Sequence, residues 1–259
     1  MMKFLTRPCH SPEFMEKYQA GVETHIFRSE KQEDFEQYIP WIYGVHLPYA
    51  GLNLSAYNEE VRRASIQKVK EAIDVGCQYP TDRFVMHPTG YESIRGEVLG
   101  IYEILCESLR EIADYAAEKK KIICLENQVM REPGNARSYG YCAAEWFRLY
   151  DDLEKPNIML TLDSSHAATS VAVYDSLADR QKHIFDFLKR PELIGRVHWS
   201  DSVLKDNTSK FNDMHLVPGK GDLPREFHQA IKALPCLKTL EQRVSDEEHI
   251  QGFEFIESL

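Results

Sequence analysis

Short runs of apolar, β-branched and aromatic residues recur along the chain. Each gives way to a stretch whose apolar positions return every three or four residues. The runs fall at Lys3–Thr6, Glu23–Phe27, Ile42–His46, Arg83–His87, Lys121–Glu126, Ile158–Asp163, Gly195–Trp199 and Cys236–Glu241. Several are continuously apolar, as in Ile122-Ile123-Cys124-Leu125, the pattern of a parallel strand covered on both faces. Two of the intervening helices are sharply drawn. Asn58 is placed to cap a helix carrying Val61, Ala64, Val69, Ala72 and Ile73, with Gly76 as its stop. Val98, Ile101, Leu105, Leu109, Ile112 and Ala116 form a second stripe, read as core packing. Weaker helical patterns lie near 12–20, 31–39, 141–153, 174–189, 224–233 and 246–258.

Eight strand–helix alternations in 259 residues predict a single (β/α)8 TIM barrel spanning 1–259. An open, doubly wound sheet is the competing architecture. No GxGxxG follows the first strand and no Walker A loop occurs, so the usual nucleotide-binding signatures are missing. No Pro-, Gly- or Ser-rich linker divides the chain. The longer connections, near 47–57, 127–140 and 200–223, are where substrate is expected.

Composition narrows the picture. Hydrophobic residues make up 43 % and charged residues 28 % of the chain, which is globular rather than disordered. No apolar run is long enough for a membrane span, and Arg7-Pro8 interrupts the N-terminus too early for a signal sequence. The six cysteines are scattered without a CxxC pair, which predicts reduced, buried thiols and a cytoplasmic location. The net charge of −10 disfavours a nucleic-acid coat. The Lys119-Lys120-Lys121 run suits a helix C-terminus.

The chemistry shows in where polar residues stand. The third strand ends at His46, the fourth at His87 and the fifth at Glu126. The sixth ends at Asp163, with His166 three residues later. The seventh ends near His198 and the eighth at Glu241, while the loop between them adds Asp213 and His215. All strand C-termini of a parallel barrel lie on one face, where barrel enzymes keep their chemistry. Imidazoles and carboxylates gathered there suit Zn²⁺, Mn²⁺ or Fe²⁺, and a cation relieves the repulsion between the carboxylates.

Other groupings are weaker. His10, after the first strand, is a candidate for the pocket wall, whereas His183, His228 and His249 read as surface helix residues. Asp163, Ser164, Ser165 and His166 lack the GxSxG elbow of a nucleophilic serine. Cys9-His10 is a poor nucleophile pair because adjacent residues rarely face each other. Gly219-Lys220-Gly221-Asp222 reads as a tight turn.

Five segments together resemble the xylose isomerase-like barrel superfamily, which includes endonuclease IV (AP endonuclease family 2) and the sugar-phosphate isomerases and epimerases. They are His46-Leu47-Pro48-Tyr49 with Asn53-Leu54; Val85-Met86-His87-Pro88; Cys124-Leu125-Glu126-Asn127; Leu162-Asp163-Ser164-Ser165-His166; and Val197-His198-Trp199-Ser200-Asp201 leading to Asp213-Met214-His215 and Pro218-Gly219-Lys220-Gly221-Asp222. Glu241 completes the set. The endonuclease IV resemblance implies three metal sites. His46, His87 and Glu126 hold one; Glu126, Asp163, His198 and Glu241 the second, with Glu126 bridging; His166, Asp213 and His215 the third. A metal-bound hydroxide then attacks a phosphodiester. The isomerase and epimerase resemblance implies one ion on Glu126, Asp163, His198 and Glu241. There Glu126 and Glu241 are catalytic and pass a proton through a metal-chelated enediolate, and His166 contacts a substrate hydroxyl.

The substrate walls depart from the endonuclease pattern. Its HPGSH reads His87-Pro88-Thr89-Gly90-Tyr91 here, its FAAG continuation is replaced by Ala167-Ala168-Thr169, and its NDSK by Trp199-Ser200-Asp201-Ser202. The loops set Arg28, Lys31, Arg131, Arg137, Lys205, Lys210 and Lys220 against Glu30, Glu33, Asp34, Glu132, Asp206 and Asp222, too balanced for a duplex-binding face. The expected reaction is therefore isomerisation or epimerisation of a sugar or sugar phosphate, with one to three Zn or Mn ions. His10, Tyr49, Trp199 and Arg243 are the expected substrate contacts, and Tyr91 is a further ring for stacking. An endonuclease IV-like metallohydrolase is the alternative, and a catalytically silent sugar-binding barrel is the third reading.

Overall fold

The computed structural model describes residues 4–26, 36–94, 97–98, 100–131, 137–205, 213–242 and 244–259. Eight strands close a barrel: β1 (Phe4–Thr6), β2 (Ala20–His25), β3 (Ile42–His46), β4 (Arg83–Met86), β7 (Ile122–Glu126), β9 (Ile158–Asp163), β10 (Ile194–His198) and β11 (Leu237–Leu240). Every neighbouring pair is parallel, and β11 returns to pair with β1. The expected TIM barrel is therefore the fold, and the open sheet is excluded. The remaining strands, β5 (Tyr91–Ile94), β6 (Glu97–Val98) and β8 (Arg137–Ser138), form a small antiparallel sheet in the order β6-β5-β8. The sequence pattern did not predict it, because strands this short carry no periodicity of their own.

The continuous apolar runs are buried as a two-sided parallel sheet requires. Val45, Phe84, Val85, Cys124, Leu125, Leu160, Leu162 and Val197 are all shut off from solvent. The helices that cover them are α1 (Pro12–Tyr18), α2 (Glu59–Gly76), α3 (Tyr102–Glu118), α4 (Ala143–Leu153), α5 (Ser164–Val171), α6 (Leu177–His183), α7 (Arg225–Ala233) and α8 (Asp246–Glu257). Asn58 caps α2 as expected, its side chain accepting from the Glu60 and Val61 amides. Ser245 and Glu248 close a reciprocal capping box on α8. Trp146 of α4 is fully buried and donates its indole N–H to the Leu125 carbonyl (2.9 Å), pinning that helix to β7. No described helix is long and apolar enough to cross a membrane.

Several boundaries differ from expectation. β2 starts at Ala20, because α1 ends in a left-handed Gln19 that turns the chain straight into the sheet. β4, β10 and β11 stop one residue early, leaving His87, Trp199 and Glu241 in the first loop position. Helix α3 begins at Tyr102 rather than 98, since Glu97–Val98 is a strand and Gly100 bridges to Ala56. The 31–39 helix is a 3₁₀ turn at Glu36–Trp41 where it is described, and residues 27–35 lie outside the described residues. The 174–189 pattern is split into α6 and a 3₁₀ turn at Ile184–Leu188. None of the six cysteines is in a disulfide, as expected. Only Cys106 and Cys124 are buried, however, and Cys9 is exposed in the loop after β1.

Gly44 marks how tightly the barrel interior is filled. A Cβ there would come within 2.6 Å of Leu5 Cδ1 and 2.9 Å of Glu23 Cγ. Gly44→Ala is expected to destabilise the fold by about 1–3 kcal/mol, read as a lower denaturation midpoint at unchanged slope.

Candidate metal centre

Consecutive neighbours in the barrel order β10-β9-β7-β4-β3 bring residues distant in sequence to one rim. Their register sets His198 beside Asp163, and Glu126 beside Thr161 two residues below Asp163. A doubled amide clamp locks the neighbouring strand ends. Asn127 Oδ1 accepts from the Asp163 amide (2.7 Å), and Asn127 Nδ2 donates to the Asp163 carbonyl (3.0 Å).

Glu126 is the hub. Its Oε2 lies 3.3 Å from His46 Nε2 and 3.2 Å from His87 Nε2. Its Oε1 lies 3.1 Å from His198 Nδ1 and 3.4 Å from His166 Nδ1. His198 Nδ1 also faces Asp163 Oδ2 (3.7 Å) and Glu241 Oε2 (3.2 Å). Beyond them, Asp213 Oδ2 meets His166 Nε2 (3.3 Å) and His215 Nε2 (2.8 Å). The ligand-type atoms fall into three adjoining groups: His46, His87 and Glu126; Glu126, Asp163, His198 and Glu241; and Asp163, His166, Asp213 and His215. Within each group the atoms lie within 4.8 Å of one another. Asp163 joins the third group as well as the second, which the sequence pattern did not anticipate.

Second contacts aim these side chains. His46 Nδ1 donates to the Leu47 carbonyl (2.7 Å) and His166 Nδ1 to the Asn127 carbonyl (2.7 Å), so Nε2 is the nitrogen each ring turns toward the cluster. Asp163 caps α5 by accepting the His166 amide on Oδ1 (2.8 Å), which turns Oδ2 toward the centre. His198 Nε2 stands 2.8 Å from the buried Glu23 carboxylate, so Nδ1 is the nitrogen offered to the cluster. Arg7 pairs with Glu241.

Charge within the cluster is interlocked. Burial would raise Glu126, but the charges of His198 and His87 outweigh it and hold the carboxyl well below its usual range. Glu241 is lowered against burial by Arg7 and His198. Burial lifts Asp163 to about 6, with the neighbouring carboxylates adding to the lift. His166 and His198 rise well above the ordinary imidazole value despite burial, and His215 rises to about 9, each driven by the surrounding carboxylates. His87 is lowered by burial. Glu126 Oε2 and Asp163 Oδ2 are buried yet accept no hydrogen bond. A carboxylate oxygen stripped of water without a donor is costly, and a bound cation is the partner this donor set fits.

A cavity of about 300 Å³ opens above the cluster, and Tyr49, Gln128, Arg131, Arg7 and His25 are among its walls. Tyr49 stacks on His87 with ring centroids 4.4 Å apart. Two expected substrate contacts are corrected. His10 is buried against Phe14, bonded to Asp246 and His249, and outside the cavity lining. Trp199 is fully buried behind the rim, donating to His228 Nδ1 (2.9 Å), because β10 ends before it and the side chain turns outward into the helix layer. His228 and His249 are likewise buried rather than surface residues, each drawn inward by polar partners. Arg243, the Tyr91 and Arg137 side chains, and the charged residues expected in 27–35 and 206–212 lie outside the described residues. Gly219 turns with φ +90°, and Asp201 and Asp222 accept the loop amides, so Gly219–Asp222 is the expected turn.

Sequence reasoning missed Arg7, Glu23, His25 and Gln128. Glu23 and His25 alternate within β2, so both face inward, and a period-two reading of that strand would have flagged them.

Fold and site together define a barrel whose rim gathers metal-ligand types of side chain. The chain belongs to the xylose isomerase-like TIM barrel family, whose model matches residues 28–259. A curated relative, the uncharacterized protein MJ1614 of Methanocaldococcus jannaschii, is 25 % identical over 206 residues, covering 77 % of this chain and 69 % of that protein. Solved structures share the fold at lower identity. A D-tagatose 3-epimerase-like protein superposes with TM-score 0.74 at 19 % identity, covering 99 % of this chain and 96 % of that one. D-psicose 3-epimerase, solved in the presence of D-fructose, gives 0.67 at 16 %, covering 98 % of each chain. The TTHB071 protein of Thermus thermophilus, soaked with ZnCl2, gives 0.67 at 18 %, covering 100 % and 97 %.

Two outcomes follow from this geometry. Cation binding needs imidazole lone pairs that His166, His198 and His215 hold protonated at neutral pH, so Zn²⁺ binding should release protons and tighten as pH rises toward about 9. Calorimetry in buffers of different ionisation enthalpy reads both. Protonated His215 also stabilises the metal-stripped fold. That contribution is complete below the ordinary value of 6.5 and lost as pH rises through about 9, so the melting temperature of the stripped chain should fall across this window. Separately, Glu23→Gln is expected to weaken metal binding roughly 10- to 100-fold with the fold intact, since it removes the charge behind His198.

Proposed function

We propose that this protein is a divalent-metal-dependent isomerase or epimerase of a sugar or sugar phosphate, with Glu126 and Glu241 as its proton-transferring groups. The observation that carries the reading is the pair of buried carboxylates that both approach His198 Nδ1 at the base of one compact cavity. Glu126, Asp163, His198 and Glu241 would hold the ion. When bound, a divalent cation supplies Lewis-acid stabilisation of the negative charge that builds on the substrate oxygens. The chain supplies the rest. Both glutamates are held ionised by their cationic neighbours, so either can take a proton from the carbon beside a carbonyl. The other glutamate, protonated from solvent, gives its proton to the opposite face and so inverts the centre, while the first passes the abstracted proton to solvent. Arg7 keeps Glu241 in place. His166 and Gln128 are set to bond substrate hydroxyls, and Tyr49 offers a ring face.

The walls support a small polar ligand. Besides its imidazoles, the described lining carries Arg7 and Arg131 as cations, and Arg7 is already paired with Glu241. A nucleic-acid groove relies on several uncompensated cations. The neighbours named for 3-epimerisation of D-tagatose and D-psicose point to the same substrate class, and the neighbour soaked with ZnCl2 agrees with a metal in this fold.

One observation favours a second reading. The groups built on His46 and His87, and on His166, Asp213 and His215, adjoin the tetrad and exceed what a single ion needs. A two- or three-ion phosphodiester hydrolase would use all of them, with a metal-activated water as nucleophile.

Metal analysis per chain and a panel of ketoses and ketose phosphates in D₂O separate the readings. The epimerase reading expects turnover with solvent deuterium entering at the reacting carbon. Glu126→Gln and Glu241→Gln should each lower it roughly 10²- to 10⁴-fold, while Asp213→Asn keeps most of the activity. Three ions per chain, no turnover of any sugar and cleavage of an abasic duplex that Asp213→Asn abolishes would replace it with the hydrolase.

A further inference from the structure

Away from the barrel centre, the loop after β1 meets the first turn of α8 at a second polar cluster. Cys9 Sγ and ring nitrogens of His10 and His249 lie within 4.8 Å of one another. Both imidazoles are buried, while Cys9 is exposed. His10 Nδ1 is 2.5 Å from Asp246 Oδ1, His10 Nε2 contacts His249 Nδ1, and His249 Nε2 faces Gln242 Oε1 at 3.4 Å. The orientation of Gln242 is fixed, because its amide Nε2 donates to the Trp199 carbonyl (3.0 Å) and to Ser200 Oγ (2.7 Å).

Counting hydrogens along this chain exposes a conflict. Asp246 and Gln242 Oε1 are acceptors at the two ends, so His10 must carry its hydrogen on Nδ1 and His249 on Nε2. The two nitrogens that meet in the middle, His10 Nε2 and His249 Nδ1, are then both lone pairs. Two neutral imidazoles hold two hydrogens, and three links need three. An imidazolium would supply the third, but burial works against it. His10 is lowered by desolvation despite Asp246, and His249 is pushed down to about 3 by burial and by its neighbour His10.

We propose that Cys9, His10 and His249 form a second, thiolate-containing site for a borderline-soft divalent cation such as Zn²⁺, separate from the barrel centre. The two opposed lone pairs become ligands, and the Cys9 thiol loses its proton to solvent as it joins them. One carboxylate and one amide, Asp246 and Gln242, stand behind the two imidazoles, as outer partners of metal-bound histidines do. Three protein ligands leave a fourth, open position near the exposed thiol. The ion staples the loop after the first strand to the last helix. Arg7 and Gln242 flank this staple, one bonded to Glu241 and the other following it in sequence, so the same ion steadies both neighbours of that carboxylate.

Cobalt is the probe, because the three barrel groups contain no sulfur. Co²⁺ titrated into the metal-stripped protein should produce a near-ultraviolet thiolate-to-cobalt charge-transfer band whose final amplitude corresponds to one thiolate-bound ion per chain. Cys9→Ser, at an exposed position, should keep the near-ultraviolet circular dichroism of the fold, lose the band and bind one ion fewer. His249→Asn should also lose the band. Asp246→Asn should retain it with affinity lowered roughly 10- to 100-fold. A wild-type protein that shows no such band at saturating Co²⁺, or a band that survives Cys9→Ser, overturns the site. The barrel reading is untouched by either result, since its ions have no sulfur ligand.

Discussion

Everything at the mouth of this barrel answers to one electrostatic constraint: four carboxylates, Glu23, Glu126, Asp163 and Glu241, are buried together around a single imidazole. Like charges stripped of water repel strongly, and each also loses its hydration. The structure meets this cost in layers. Arg7 neutralises Glu241, and His198 is shared by all four acids. His46, His87 and His166 approach Glu126, and Asp163 accepts the His166 amide in the first turn of α5. Glu126 Oε2 and Asp163 Oδ2 still lack a donor, and they face the ligand-type groups where a cation best completes the balance.

The scaffold makes such a concentration of charge tolerable. The strand ends are clamped by ladder bonds and by the Asn127–Asp163 pair, so the acids cannot drift apart to relieve repulsion. The dense apolar core beneath them keeps water out. That rigidity holds each ligand-type atom in place before an ion arrives, which favours tight binding and a fixed orientation of whatever the ion holds.

The proposed epimerase and its hydrolase alternative differ less in architecture than in how the outer imidazoles are used. Glu126, Asp163, His198 and Glu241 serve either reaction. His46 and His87 are wall in one and ligands in the other, as are Asp213 and His215. The nature of the walls decides: a cavity with few cations suits a neutral polyol or a single phosphate better than the backbone of a duplex. Family membership fixes the barrel and leaves this choice to the site.

The order of strands and helices was written into the sequence, because a buried parallel strand must be apolar throughout and a covering helix must be apolar every third or fourth residue. Strand-end histidines and acids were equally legible, since closing a parallel barrel leaves their positions no other face to occupy. What the chain alone could not reveal was direction and partnership. Whether β10 stops before or after Trp199 decides if that ring faces the cavity or the helix layer, and a one-residue difference lies below what periodicity resolves. Glu23 and His25 lay inside the predicted run, but their period-two spacing was not read as an inward face. His10 and His249 stand 239 positions apart, and their opposed lone pairs exist only once β11 closes against β1 and brings the last helix to the first loop. Local patterning follows from backbone geometry within a few residues. Contacts made by closure depend on the whole ring, and only the folded chain sets them.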